Sequence, residues 1–352
     1  MVDRPGRAPR VAVVGTGLIG GSVLLRLHEH GTDVVGWDPD EATRVEGRAR
    51  GVNFPEELAD AVRDRDVVFL CGPLSTLPET LRTVTRHTRP GCVVTDVGST
   101  KGAVAGHAAA YGLTDRFVPG HPMAGTERAG LAAAVPTLFD GAAWVLCPSA
   151  AGMAGFRTLA ALVIDVFAAR IVPMSADVHD AAAALASHIP HLLAGSLAGA
   201  VAGTELRDAV LGLAAGSFRD GTRVAGTPAR RTADMLLNNR EQVLAQLGRV
   251  TAFLDELAAA LRAGDADALV AHYQRARGLR LALLGRATRP AARSFALGAE
   301  ADDELEYLLS LGSAGGYLTA CRVADGEVAY TGHVPEPDAA GAAGHVPVGP
   351  EA

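Results

Sequence analysis

The sequence predicts an α/β protein in which a doubly wound parallel sheet is followed by an all-helical domain. In the first part of the chain, short apolar runs typical of buried strands alternate with helical segments, and after Gly155 the apolar spacing becomes helical. A chain of 352 residues has room for two cores, because domains usually hold about 100 to 200 residues. The predicted organisation is a flexible N-terminus at 1–10, a sheet domain at 11–150, a helical domain at 151–286, an extension of undetermined structure at 287–334 and a disordered tail at 335–352.

Composition excludes several classes of function. The formal net charge is −7 and no basic stripe is present, so a nucleic-acid partner is not expected. The four cysteines lack metal-ligand spacing and mostly lie in apolar runs, which predicts reduced core thiols, no metal site and a cytoplasmic location. No uninterrupted apolar run approaches the roughly 18 residues that cross a bilayer, so no membrane partner is expected. The expected partner is a small molecule.

The first local motif is Gly15-Thr-Gly-Leu-Ile-Gly20, which stands between an apolar strand and a helix with apolar spacing. Gly15 permits the tight turn, and Gly17 allows a pyrophosphate to approach the backbone at the helix N-terminus. Gly20 packs the helix against the strand. The domain at 11–150 is therefore predicted to be a Rossmann-type dinucleotide-binding domain.

The second strand of this domain ends in Asp38, about 20 residues after the glycines, where an acidic residue binds the adenosine ribose hydroxyls. The alternative is an ordinary turn residue. Pro39 and Asp40 follow, with no arginine at the strand end, which favours NAD over NADP because a 2′-phosphate would meet carboxylates. NAD is the predicted cofactor.

Two further strand ends complete the predicted ligand cleft. Gly72-Pro73 breaks the chain after one buried strand, and the polar turn Val97-Gly-Ser-Thr-Lys101 follows another. Ligands of such sheets bind where the strand order reverses, so Ser99 is a candidate hydroxyl near the nicotinamide and the substrate. The alternative role of Ser99 is the N-cap of the next helix. The cofactor-binding candidates are Gly15, Gly17, Leu18, Ile19, Gly20, Asp38, Gly72, Pro73 and Ser99.

A single histidine, His121, lies between glycines and a proline in the segment 116–130. With an ordinary pKa of about 6.5, an imidazole is the side chain most easily set to accept a proton near neutral pH. The alternative is a buried histidine bonded to a neighbouring carbonyl. Its sequence context favours the catalytic interpretation.

The helical domain contains a long segment of small apolar residues at 181–202, which includes Ser187-His-Ile-Pro-His191. A helix that is apolar all round is buried, and a second copy of the chain is the simplest partner, so we predict a homodimer. His188 and His191 share a face, and Pro190 is expected to kink the helix near them. No third ligand is apparent in the sequence, so metal binding is not favoured.

The segment 215–224 is predicted to be a glycine-broken loop that carries Asp220 and Arg223. Arginine in such a loop suits bidentate binding of a carboxylate, and the alternative is a surface ion pair with Asp220. In the extension, residues 300–311 are predicted to form a helix, and 317–323 and 327–330 are predicted to pair as a hairpin around Asp325-Gly326.

Five motifs occur in order along the chain: Val13-Val-Gly-Thr-Gly-Leu-Ile-Gly-Gly-Ser22, Asp96-Val-Gly-Ser-Thr-Lys101, Gly120-His-Pro-Met-Ala-Gly-Thr-Glu127, Ser187-His-Ile-Pro-His191 and Phe218-Arg-Asp-Gly-Thr-Arg-Val-Ala225. On these motifs the chain resembles the prephenate/arogenate dehydrogenases of tyrosine biosynthesis over about residues 11–286. The resemblance implies a Rossmann domain followed by a helical dimerisation domain. It also implies oxidative decarboxylation of a cyclohexadienol dicarboxylate, with hydride transfer from C4 to NAD, release of CO2 and aromatisation of the ring.

The resemblance implies a role for each matched residue. His121 accepts the proton of the 4-hydroxyl group, and Ser99 hydrogen-bonds the same hydroxyl and the nicotinamide. Arg223 binds the ring carboxylate, with Asp220 as its gating partner. The other implied substrate-binding residues are His191, which binds the substrate side chain, together with His188, Thr126 and Glu127.

Several alternatives stay open. Many members have a tryptophan in the segment where this chain has Thr227-Pro-Ala-Arg-Arg-Thr232, so the substrate is prephenate, arogenate or 4-amino-4-deoxyprephenate. A β-hydroxyacid dehydrogenase on the related scaffold would have a catalytic lysine on the long helix, and none lies at 181–202. A non-catalytic NAD-sensing dimer is disfavoured because Ser99, His121 and Arg223 are all retained. The residues after Arg286 do not match an ACT domain, so feedback control by tyrosine is also open.

Overall fold

The first part of the chain folds into a parallel sheet flanked by helices, as predicted. The strands are Val11–Val14 (β1), Val34–Trp37 (β2), Val67–Leu70 (β3), Val93–Asp96 (β4) and Phe117–Val118 (β5). In this computed structural model, which describes residues 8–126 and 128–336, they lie in the order β2-β1-β3-β4-β5. The strands are almost entirely buried because helices cover both faces, which explains their valine-rich sequences.

Five helices cover this sheet: Leu18–Glu29 (α1), Glu41–Ala49 (α2), Leu58–Val62 (α3), Leu77–His87 (α4) and Gly102–Ala110 (α5). Because β1 pairs with both β2 and β3, the strand order reverses beside β1. The turns after β1, β3 and β4 therefore meet at one edge of the sheet. This edge carries the glycine motif, Gly72-Pro73 and Ser99.

The predicted domain boundary at residue 150 is too early in the chain. The helix Met153–Phe167 (α6) buries Phe156 and Val163 in the same core as Val11. After Gly120–Pro122 (β6) and Ala143–Leu146 (β7), the strand Arg170–Pro173 (β8) pairs in parallel with β7. The sheet domain thus continues to about residue 174, because its second sheet is incomplete without β8.

The C-terminal extension returns to the sheet domain. The predicted helix is present as Ala301–Ser313 (α14), and the predicted hairpin as Tyr317–Ala324 (β10) and Glu327–Pro335 (β11). Asp325 and Gly326, both with positive φ, form its turn. The sequence did not reveal the strand Thr288–Ala296 (β9), nor the pairing of β10 with β8.

The second sheet therefore has six strands in the order β6-β7-β8-β10-β11-β9. The buried carboxylate of Glu304 on α14 is bonded by Arg157 of α6 and by the hydroxyl of Tyr330. This contact fastens the extension to the sheet domain. Residues 1–7 of the predicted flexible N-terminus and residues 337–352 of the predicted tail lie outside the described residues.

The helical domain begins at Ser175, whose hydroxyl caps the first helix by accepting from the N–H of Val178. Its helices are Ala176–Ala183 (α7), Ile189–Ala202 (α8), Arg207–Leu213 (α9), Gly216–Thr222 (α10), Ala229–Asn238 (α11), Arg240–Ala263 (α12) and Ala266–Gly285 (α13). A π-helical turn, Ala184–His188, joins α7 to α8 just before Pro190, which has no N–H to continue the regular ladder. The segment predicted to be a loop at 215–224 is mostly helical, because it forms α10 and the 3₁₀ turn Arg223–Gly226.

The long apolar helix, which the sequence predicted to be buried against a second copy of the chain, is partly exposed within one chain. Leu185, Leu193 and Leu197 remain 47%, 39% and 44% exposed. The stretch Ala176–Ala202 is long and apolar enough to cross a bilayer by length and composition, with 22% of its most apolar window buried. Core helices pass the same test, so this is weak evidence for a membrane span. A single chain leaves this apolar surface uncovered.

Candidate active site

The glycine motif is shaped to receive a phosphate group. Gly15 has a φ of +89°, and a Cβ there would lie 2.8 Å from the backbone nitrogen of Gly72. A Cβ on Gly20 would lie 1.9 Å from the carbonyl oxygen of Gly15. A Cβ on Gly17, in contrast, would have no neighbour within 4 Å. Gly15 and Gly20 thus hold the turn against β3 and α1, while Gly17 leaves open space at the N-terminus of α1, where phosphates bind.

Asp38 joins the end of β2 to the glycine motif. Its Oδ2 accepts a hydrogen bond from the backbone N–H of Thr16 at 2.7 Å. The sequence predicted no arginine at this strand end, but Arg44 of α2 reaches it. The Arg44 guanidinium donates to the carbonyl oxygens of Asp38 and Pro39 at 2.8 and 3.2 Å. The sequence did not predict Arg44 at this position, because this residue lies on the following helix, six residues after Asp38.

A buried ion pair connects the turn that carries Ser99 to the strand that carries His121. Asp96 and Lys101 are both fully buried, and Lys101 Nζ donates to Asp96 Oδ2. Lys101 Nζ also donates to the carbonyl oxygen of Gly120 at 2.6 Å, and Asp96 Oδ1 accepts from the N–H of Gly120 at 3.1 Å. Sequence reasoning had assigned neither residue a role, although both belong to a quoted motif.

The N-terminus of α5 is not capped by Ser99, which removes the alternative role predicted for that residue. The carboxylate of Asp180 accepts from the backbone N–H groups of Lys101 and Gly102 at 2.7 and 2.8 Å. Ser99 itself is partly exposed in the turn after β4. Its hydroxyl therefore lies at the ligand-binding edge of the sheet rather than in the helix cap.

His121 lies on β6 and forms a hydrogen bond to a second histidine that the sequence did not reveal. Its Nδ1 is 2.9 Å from Nε2 of His179, and the two rings meet edge to face with their centroids 5.1 Å apart. Nδ1 of His179 is 2.7 Å from Oδ1 of Asp180. Burial, together with the nearby His179, Lys101 and His188, holds the pKa of His121 well below its usual value. The imidazole of His121 is therefore neutral at neutral pH.

His179 and Asp180 had one signal in the sequence. They are adjacent polar residues near the start of α7, in which the other polar residue is Asp177. Both are buried. Burial of Asp180 raises the pKa of its carboxyl, but hydrogen bonds from His179, Gly102 and Lys101 outweigh that effect and lower it.

His188 was predicted to bind the substrate, but in the structure it packs against other residues of the helical domain. It is completely buried, and its Nδ1 accepts from Nδ2 of Asn239 at 3.0 Å. Asn239 also donates to the carbonyl oxygen of Asp180 at 2.8 Å. Burial lowers the pKa of His188 to about 4, so it is neutral. A fully enclosed imidazole cannot contact a substrate in the cleft.

His191 is partly exposed and has a fixed tautomer. Its Nδ1 lies 3.0 Å from the carbonyl oxygen of Ser187, so Nδ1 donates, and Nε2 lies 3.4 Å from the hydroxyl of Thr227. The 3₁₀ turn that begins at Arg223 packs against α8 and brings Thr227 to His191. Both ring nitrogens of His191 thus have a partner within the helical domain.

Asp220 and Arg223 are both exposed, and within the residues that the structure describes no ion pair joins them. The surface pair that was the alternative for Arg223 is therefore not observed there. Thr126 is exposed at the end of the histidine loop, and its carbonyl oxygen accepts a long hydrogen bond of 3.4 Å from Arg231, another residue that sequence reasoning missed. Glu127 lies outside the described residues.

Comparison with known proteins identifies the domains. Residues 23–172 match the family model described as prephenate dehydrogenase, nucleotide-binding domain, and residues 175–275 match prephenate dehydrogenase, dimerization domain. The boundary between the two matches agrees with the end of the sheet domain near residue 174. The whole C-terminal extension lies beyond both matches.

Individual relatives agree with these domain matches. The chain is 34% identical over 279 residues to the cyclohexadienyl dehydrogenase of Zymomonas mobilis, covering 78% of this chain and 95% of that one. The arogenate dehydrogenase of Synechocystis superposes with a TM-score of 0.67 at 29% identity, covering 77% of this chain and 98% of that chain. The prephenate dehydrogenase of A. aeolicus, solved with hydroxyphenyl propionate and NAD⁺, superposes with a TM-score of 0.72 at 25% identity, covering 80% and 100%.

Proposed function

Because the chain belongs to the prephenate dehydrogenase family, we propose that the residues around His121 carry out the family reaction in this protein. The chain is an NAD-dependent prephenate/arogenate dehydrogenase. Prephenate gives 4-hydroxyphenylpyruvate and CO2, and arogenate gives tyrosine and CO2. The observation that best supports His121 as the base is its neutral imidazole, held in the cleft by a hydrogen bond from its own ring to His179.

The chemistry explains why a neutral imidazole is needed. When bound, NAD accepts the hydride that leaves C4 of the substrate ring. Positive character then develops at C4, and it is relieved as the 4-hydroxyl group loses its proton. An acceptor for this proton stabilises the transition state more than the ground state. His121 is that acceptor, and Ser99 orients the hydroxyl group.

The cofactor is held by the residues at the sheet edge. The open space at Gly17 and the N-terminus of α1 accommodate the pyrophosphate, and Asp38 binds the adenosine ribose. Leu18 and Ile19 begin α1 beside the pyrophosphate, while Gly72 and Pro73 line the cleft towards the nicotinamide.

Substrate carboxylates are bound from the helical domain. Arg223 provides an exposed guanidinium for the ring carboxylate, and Asp220 on the preceding helix controls access to it. His191, held by Ser187 and Thr227, binds the substrate side chain. Thr126, and Glu127 outside the described residues, are assigned to substrate binding on the family resemblance alone.

The functional unit is a homodimer formed by the helical domain. Exposed apolar side chains lie along both long helices of that domain, including Phe253 at 54% and Tyr273 at 66% exposure. Patches of this kind mark interaction sites, and the domain matches a family model for dimerization.

The four cysteines are free, and three of them are buried, which suits the reducing cytoplasm.

Formation of NADH with prephenate and with arogenate, measured side by side, tests the activity and identifies the substrate. Turnover of either compound supports the proposal. Absence of NADH formation with both, in a preparation that binds NAD, would contradict it.

A further inference from the structure

His121 is the last member of a series of three hydrogen-bonded side chains. Oδ1 of Asp180 lies 2.7 Å from Nδ1 of His179, and Nε2 of His179 lies 2.9 Å from Nδ1 of His121. The three side chains come from two domains, because His121 lies on β6 and the other two lie on α7. Of the four ring nitrogens, Nε2 of His121 is the one that takes no part in these hydrogen bonds.

The direction of each hydrogen bond follows from the first member. An ionised carboxylate only accepts hydrogen bonds, and Asp180 already accepts two from the backbone of Lys101 and Gly102 at the N-terminus of α5. Nδ1 of His179 must therefore carry a proton and donate it to Asp180. When His179 has a single ring proton, its Nε2 has a lone pair and accepts from Nδ1–H of His121.

We propose that His179 and Asp180 are positioning residues that fix the tautomer of His121, so that Nε2 of His121 is the unprotonated atom that faces the substrate. This inference rests on the proposed role of His121 as the base. If the series is broken, nothing prevents the His121 ring proton from occupying Nε2, and an Nε2–H group cannot accept a proton. Loss of the orienting acid in a catalytic triad acts through the same wrong tautomer.

The series also balances charge during the reaction. The O–H bond of the substrate hydroxyl breaks as an N–H bond forms at Nε2 of His121, while Nδ1–H stays in its bond to His179. Two hydrogen bonds then link the positive charge on the His121 ring to the carboxylate of Asp180. Among the described residues, other charged or titratable groups near it are Lys101, which is paired with Asp96 at the end of β4, and His188 from the π-helical turn. Since Asp96 and Lys101 neutralise each other, Asp180 provides the compensating charge.

Two substitutions at residue 179 separate positioning from simple packing. His179→Leu removes the acceptor for Nδ1–H of His121. His179→Gln keeps an acceptor, because a glutamine amide donates to Asp180 from its nitrogen and offers its oxygen to His121. We expect His179→Leu to lower kcat about 100-fold or more, with the KM for NAD nearly unchanged, and His179→Gln to recover most of that loss.

The pH profile provides the readout that packing alone does not change. In the proposed arrangement Nε2 of His179 accepts from Nδ1–H of His121 and so stabilises the protonated ring, which means that His179→Leu should move the acid limb of kcat to lower pH. Equal losses in the leucine and glutamine variants, with an unshifted acid limb, would overturn the inference. Wild-type kcat in His179→Leu would also overturn it.

A measurement on the unaltered enzyme keeps the test independent of folding in the variants. In ¹⁵N-histidine-labelled protein, the signals lost in His121→Asn identify His121. We expect the Nδ1–H tautomer for this ring, and the Nε2–H tautomer would refute the inference. If His121→Asn retains wild-type turnover, the proposed function of His121 fails instead, which distinguishes the two results.

Discussion

Lys101 and Asp96 form an ion pair in which both side chains are completely buried, beneath the two segments that carry Ser99 and His121. The pair also bonds both backbone groups of Gly120. Two charges removed from water cost several kcal/mol each, and they are tolerated here because every polar atom of the pair has a partner. The pair therefore sets the separation between the candidate hydroxyl and the candidate base.

Removal of one partner should destabilise the fold strongly. We expect Lys101→Met to lower the free energy of unfolding by about 3 to 5 kcal/mol, because Asp96 is left as an uncompensated buried charge. Urea denaturation followed by circular dichroism measures the loss. Arg82→Met, which breaks an exposed pair with Glu79, is the control and should change stability little. A loss as small as that of the control would show that the buried pair is unimportant.

NAD should be strongly preferred to NADP, because the carboxylate of Asp38 repels a 2′-phosphate. In Asp38→Asn the ratio of kcat/KM for the two cofactors should move towards NADP, since the repulsion is removed and Arg44 lies at the same strand end. Initial rates with each cofactor provide the ratio. Comparable efficiency with both cofactors in the unaltered protein would contradict the role given to Asp38.

His121→Asn should lose about 10² to 10⁴ in kcat while NAD still binds, because the cofactor contacts lie in other residues. The base must be neutral to accept a proton, so kcat falls as pH decreases through its pKa. The sequence alone places this fall near pH 6 to 7, the usual range for histidine. Burial lowers the pKa of His121, so the acid limb should lie below that range. A limb at or above pH 7 would show that another group titrates.

Arg223→Ala should raise the KM for the substrate about 30-fold or more and lower kcat much less. A carboxylate anchor binds the ground state and the transition state alike, so its loss appears mainly in KM. Arg219→Ala, which removes an exposed arginine four residues earlier on the same helical segment, is the matched control. Equal effects of the two substitutions would mean that Arg223 contributes only general positive charge.

Light scattering at micromolar concentration should report a dimer. Phe253→Asp places a charge in the apolar surface of α12 and should shift the protein towards the monomer. Tyr111→Asp changes an aromatic residue of similar exposure, 50% against 54%, on the sheet domain and should leave the dimer intact. A monomer in the unaltered protein would contradict the proposed assembly.

The sequence predicted the elements whose local patterns are strong. The valine-rich strands, the glycine motif and the turn at Asp325-Gly326 each depend on neighbouring residues, and all are present. The position of β9 and the pairing of β10 with β8 depend on contacts between distant segments, for which a single sequence contains no periodic signal. The boundary near residue 174 was missed because the sheet domain itself ends with an amphipathic helix, α6, before its last strand.

The residues of the candidate site were likewise predictable where a local motif marks them, and not where contacts between distant segments bring them together. His121, Ser99 and His191 stand in recognisable motifs, and the structure leaves all three partly exposed. His179, Asp180 and Asn239 come from helices whose spacing reveals only burial, so the bond of His179 to His121 and that of Asn239 to Asp180 required the fold. His188 was assigned to the substrate on the family resemblance, but in the π-helical turn it is buried against Asn239.

The return of the C-terminal extension has a mechanical consequence. The chain enters the helical domain after Pro173 and leaves it near Arg286, and both points lie against the end of α14: Pro173 packs on Gly312, and Arg286 donates to the carbonyl oxygen of Ala314 at 3.0 Å. A body tethered at two neighbouring points has fewer rotational freedoms than one tethered at a single point. The two tethers beside α14 thus restrain the helical domain, and with it Arg223 and His191, relative to the sheet domain that carries His121.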